Sequence, residues 1–166
     1  TCHNFLTIRQ KLSSKSQLSK YNMTVKEYSD HENFPFFVDI PTRWMDSDVY
    51  GHVNNVEYYS YIDTAINMHL AKKVMLDPNT APVFGVVAET GCKFFKEIRH
   101  PDIIEAGIRV TQIGNSSVTY QVALYRRSDE ALAALGHFVH VYVDRETRKP
   151  RTIPDAFRKE LNQLFT

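Results

Sequence analysis

The sequence predicts an α+β fold in which one antiparallel sheet curls around one long helix. Three observations predict it. A helical segment near residues 55–72 is apolar around most of its circumference. The apolar period then changes to two and stays there over four long segments. Turn residues separate those segments at short intervals, as antiparallel neighbours require.

The first element is FPFFVDIPTRW, from Phe34, which has strand composition; Pro41 marks an edge or a bulge. A polar decapeptide, DSDVYGHVNN (46–55), follows, and then the helix. Asn54 is a good N-cap, with Glu57 three residues on in capping-box register. Lys72 and Lys73 favour the negative helix end, and Asp77, Pro78 and Asn79 stop the chain. The helix is expected to run about 18 residues, roughly 27 Å. Glu57, Ser60, Thr64, Asn67 and Ala71 make one narrow polar stripe, and the remaining circumference predicts a helix wrapped by protein. Asp63 lies off that stripe and is expected to need an internal hydrogen-bond partner.

PVFGVVAETGCKFFKEI reads as a long strand with Gly85 and Gly91 as candidate bulges. Ile104, Ala106, Ile108 and Val110 alternate with polar or small residues, as do Val118, Tyr120, Val122 and Leu124. ALGHFVHVYVD is the last long strand, and a short helix after Pro154 closes the order. The strands after the helix are expected in hairpin-like succession.

Two domain-scale segments are expected. Residues 1–30 form a basic, serine-rich extension: up to Lys26 there are five Lys or Arg and no Asp or Glu. That composition fits a transit peptide or a flexible tail, and Met23 is an alternative start. Residues 31–166 form a single domain, in keeping with a chain of 166 residues. A net charge of +1 gives no field to recruit nucleic acid or an acidic membrane, and no run approaches a membrane span. Cys2 and Cys92 read as free thiols in a reducing, cytoplasmic setting, or in an organelle if residues 1–30 are a transit peptide. CxxC, HExxH and Walker-type spacings are absent.

The decapeptide carries the chemistry. Asp48 lies six residues before the N-cap of a helix whose first N–H groups, among them those of Asn55 and Val56, lack helical partners and carry partial positive charge. If the loop folds back, a carboxylate beside such donors can attack, or activate water to attack, a carbonyl that the donors polarise. Gly51 would permit the sharp turn. On spacing alone, ordinary turn and capping chemistry explains the same residues. Asp46 then reads as an anchor, to backbone N–H groups or to Arg43.

The stretch RWMDSDVYGHVNNVEYYSYID resembles the signature of the 4-hydroxybenzoyl-CoA thioesterase type of hotdog-fold proteins, matched at Arg43, Asp46, Asp48, Gly51, His52, Val53, Asn54, Asn55, Tyr58 and Asp63. The tail VYVDRETRKPRTIP is similar to the family's closing strand, at Asp144, Thr147, Pro150, Ile153 and Pro154. The resemblance implies a hotdog acyl-CoA thioesterase, with Asp48 the catalytic acid as nucleophile or general base. It implies that His52, Asn54, Asn55 and Tyr58 contact substrate, with a backbone N–H at the helix start, of Asn55 or a neighbour, polarising the thioester. Tyr58, Tyr61, Ile62 and Phe84 would line an acyl tunnel. No metal or organic cofactor is expected, and the partners implied are the acyl-CoA substrate and a second copy, as homodimer or homotetramer. The wording DVYGHVNN looks closest to long-chain, fatty acyl-CoA members, with aromatic acyl groups left open. An acyl-CoA sensor and a hotdog hydratase or dehydratase are the rival readings. Arg99, Arg126, Arg127, Arg148 and Lys149 are candidates for CoA phosphates, but surface charge explains each as well.

Overall fold

The computed structural model describes residues 28, 30–74 and 80–166. Most of the basic extension and the Asp77–Asn79 stop signal therefore lie outside the described residues. The elements are β1 (Phe36–Pro41), α1 (Asn55–Lys73), β2 (Val83–Phe94), β3 (Ile103–Ile113), β4 (Ser117–Arg126), β5 (Ala131–Asp144) and α2 (Asp155–Gln163). They form the predicted α+β arrangement: one five-stranded antiparallel sheet and one long helix.

The sheet order is β1-β3-β4-β5-β2. Strands β3, β4 and β5 follow one another as hairpins, but β2 does not pair with β3. It crosses to the far edge and pairs with β5, from Val83 opposite Asp144 to Phe94 opposite Ala134. Strict hairpin succession therefore holds for only three of the strands. The bulge in β2 falls between Val87 and Glu89, not at Gly85 or Gly91. Pro41 ends β1, an edge strand, where its missing N–H costs no ladder bond.

Helix α1 runs 19 residues from its Asn54 cap, whose side chain accepts from the Val56 N–H at 3.2 Å. Glu57 does not complete a capping box on α1; its carboxylate takes Arg43 Nη2 at 3.0 Å. The helix is buried on one face, through Tyr58, Tyr61, Ile62, Ala65, Ile66, His69 and Leu70. Val56, Ser60, Asp63 and Asn67 are exposed. The helix is thus half-wrapped, and Asp63 meets water and Asn67 Nδ2 (3.1 Å) rather than an internal partner. Its contact with the sheet is close: a Cβ at Gly136 on β5 would stand 2.5 Å from Ile62 Cδ1.

The opposite face of the sheet has its own apolar cluster of Phe34, Phe95, Ala123, Tyr125, Leu132 and Leu135, with Tyr28 and Phe37 against it. The Tyr125 hydroxyl donates to the Tyr28 carbonyl at 2.6 Å, and Gly107 leaves the room that lets Phe34 and Phe37 lie close. Packing therefore begins before the strand composition at Phe34.

Candidate active site

The decapeptide folds back as a short hairpin in front of α1. Ser47 and Val53 form an antiparallel bridge, the Asn54 N–H donates to the Asp46 carbonyl (2.8 Å), and the Asp48 N–H donates to the His52 carbonyl (2.8 Å). Gly51 closes the turn at φ 77°, a conformation costly for other residues, with its N–H on the Asp48 carbonyl at 3.1 Å. The Val53 N–H donates to the Ile98 carbonyl at 2.8 Å, which fastens the hairpin to the segment leaving β2.

The two acids have different surroundings. Asp46 is fully buried and anchors the loop. One oxygen accepts the Arg43 Nε at 2.8 Å; the other accepts the Arg43 backbone N–H at 2.7 Å and the Tyr61 hydroxyl at 2.6 Å. Burial alone would raise this carboxyl, but the Tyr61 and Arg43 donors outweigh it and hold it below the ordinary aspartate range. Burial, and then the bond to Asp46, push the Tyr61 phenol well up. The Tyr61 hydroxyl is therefore committed to Asp46. Asp48 is half-buried, and Tyr50 N–H (2.8 Å) and His52 N–H (3.2 Å) both donate to its Oδ1.

The other predicted site residues are placed as follows. Asn54 spends its side chain on the Val56 N–H, so that N–H is capped; no hydrogen bond occupies the Asn55 N–H among the described residues. Tyr58 is buried one turn into the helix, its ring edge-on to Phe94 with centroids 5.0 Å apart. His52 is buried at the hairpin end, its Nε2 at 2.8 Å from Arg99 Nη2 and 3.1 Å from Glu97 Oε2. Phe84 lies under two guanidinium groups, Arg145 at 4.9 Å and Arg148 at 5.0 Å from its ring centre. Arg126 and Arg127 pair with Asp129 and with Asp39 and Glu105. Sequence reasoning gave Glu97 and Arg99 no place beside His52, because 45 residues or more separate them and no local pattern links them. Among the described residues, no group of three or more His, Cys, Asp or Glu side chains is placed to hold a metal ion, and no helix is long and apolar enough to cross a membrane.

A buried anchor acid, a second acid on a tight turn and a helix start beyond it, on a five-stranded sheet packed against one helix, define a hotdog-type scaffold. Residues 42–161 match the thioesterase-like superfamily, and the chain belongs to that superfamily. It is similar to the PA5185 protein of Pseudomonas aeruginosa PAO1: 42% identity over 82% of this chain and 95% of that one, with a TM-score of 0.79. The 1,4-dihydroxy-2-naphthoyl-CoA thioesterase Slr0204 of Synechocystis shares the fold (TM-score 0.71, 16% identity, 78% and 96% covered). The uncharacterized protein YsmA of Bacillus subtilis is 23% identical over 78% of this chain and 86% of its own.

Proposed function

We propose that the protein is an acyl-CoA thioesterase, hydrolysing the thioester to free acid and CoA with Asp48 as nucleophile or general base. The observation that carries this reading is the division of labour between the two acids. The buried Asp46 carboxylate is spent on three donors, while both bonds to the Asp48 carboxylate fall on a single oxygen at the half-exposed end of the hairpin. A carboxylate so held can add to the thioester carbonyl, or remove a proton from the water that does so. The Asn55 N–H at the positive end of α1 receives the charge developing on the carbonyl oxygen. CoA leaves as a thiolate and takes up a proton; on the nucleophilic route water then cleaves the anhydride formed on Asp48 to release the free acid, and His52 and Asn54 keep the loop in register. Tyr58 closes the acyl side of the site against Phe94.

The test is CoA release across aliphatic and aromatic acyl-CoAs. Asp48→Asn should lower kcat/KM by roughly 10² to 10⁴, the range expected for losing a positioned acid–base group. A variant within a few-fold of wild type on every thioester turned over would remove Asp48 from the chemistry.

The same reading includes a homodimer. Strand β2 is an edge of 12 residues with Val87 half exposed, and a long open edge of this kind invites pairing with a second copy. Light scattering should give at least twice the 19.2 kDa chain mass; a monomer at micromolar concentration would rule the pairing out.

A further inference from the structure

We infer that Arg99 fixes the tautomer of His52, placing the ring proton on Nδ1 and making that N–H a hydrogen-bond donor to the bound thioester. The acceptor rests on the acyl-CoA reading; the tautomer rests on geometry alone.

The ring is carried on a rigid piece of backbone. His52 donates its N–H to Asp48 Oδ1 and accepts the Asp48 N–H, and its neighbour Val53 is tied to Ile98. This holds the imidazole beside Arg99. Nε2 there meets opposite demands: Arg99 Nη2 at 2.8 Å can only donate, and Glu97 Oε2 at 3.1 Å can only accept while ionised.

Two features decide between them. The arginine contact is the shorter. Glu97 Oε2 stands at ion-pair distance from Nε2 without forming a hydrogen bond to it, and the charge of Glu97 is already met at Oε1 by Arg99 Nε (3.2 Å) and Nη2 (2.9 Å). A proton on Nε2 would set two N–H groups head to head at 2.8 Å. Nε2 is therefore the acceptor, and the neutral ring carries its proton on Nδ1.

Nδ1 is buried and has no hydrogen-bond partner among the described residues. A buried N–H without an acceptor is uncommon in folded proteins. It is accounted for when the acceptor arrives with the ligand, and a thioester carbonyl that gains negative charge is a suitable one. Arg99 is then a positioning residue, acting through His52. Glu97 holds Arg99, and Arg126 Nη1 holds the Glu97 carbonyl at 2.7 Å, which ties the clamp to β4. The charged groups facing His52 are Glu97 and Arg99 from the segment after β2 and Asp48 from its own loop.

The experiment is long-range ¹H–¹⁵N correlation on the full chain labelled at histidine nitrogen, with His52→Gln identifying the His52 signals among seven histidines. Wild type should show a pyrrole-type shift at Nδ1 and a pyridine-type shift at Nε2. Arg99→Met, checked for folding by circular dichroism, should invert the pattern, and Arg99→Lys should keep it. In turnover, Arg99→Met should lower kcat roughly ten- to a hundredfold with KM little changed, because the donor matters most as charge develops. Arg99→Lys should recover much of that loss. An Nε2–H or doubly protonated ring in wild type, or an unchanged tautomer in Arg99→Met, overturns the clamp. If wild type shows the Nδ1–H signature yet hydrolyses no acyl-CoA, the thioesterase reading fails and the acceptor with it, while the clamp stands.

Discussion

At the scale of single residues, the arrangement turns on Asp46 and Tyr61. The 2.6 Å bond between them links a loop carboxylate to the helix interior. Tyr61→Phe removes the donor and leaves a buried carboxylate oxygen with less compensation, a change that costs about 1–3 kcal/mol. Chemical denaturation should read this as a lower midpoint with an unchanged slope. The pH dependence has a definite sign. The Asp46 carboxyl is held below its ordinary value in the folded chain, so its contribution is complete above about pH 4 and is lost as pH falls through the depressed native value. Asp46→Asn should lower stability at neutral pH and flatten that acid limb. If the acid limb keeps its slope in Asp46→Asn, other carboxylates govern it.

At the scale of elements, the helix and β5 fit as a pair. Gly136 is opposed by Ile62, which is fully buried, so Gly136→Ala forces a shift in a packed layer and should cost about 1–3 kcal/mol. Ile62→Val in the same chain should return part of that loss, and a strictly additive double mutant would show that the two do not touch. This contact also marks how far the sequence could be read. The helix, its Asn54 cap and the period-two strands were legible because local composition sets them. The crossover that sends β2 to β5 was not, since pairing partners are a tertiary choice with no local signature. Asp63 and the polar stripe show the same limit: apolar and polar positions were visible, but which side of α1 faces the sheet was not. In the site, Asp46 as anchor followed from residue type near Arg43. Tyr61 and Arg99 as partners did not, because each reaches its acid or imidazole only after the chain has folded.

At the scale of the whole molecule, two buried histidines link the fold to pH. His140 lies among Tyr120, Phe138 and Tyr142, and burial pulls it down to about 4. His69, both ring nitrogens without partners among the described residues, is lowered by burial too. An unfolded histidine takes its proton near pH 6.5. Both groups therefore leave the fold at full stability above that value and weaken it as pH falls from 6.5 toward the native values, His140 by up to roughly 3 kcal/mol. His140→Asn should shrink the difference in unfolding free energy between pH 7 and pH 5; an undiminished difference would place the sensitivity elsewhere. The outer sheet face bears on how copies meet. Tyr28, Phe34 and Phe37 already lie across its Tyr125 end. A neighbour stacking back to back there would first have to displace Tyr28, Phe34 and Phe37. The open rim along β2 carries no such cover among the described residues, so the homodimer proposed above would pair along that rim with Tyr28, Phe34 and Phe37 left in place.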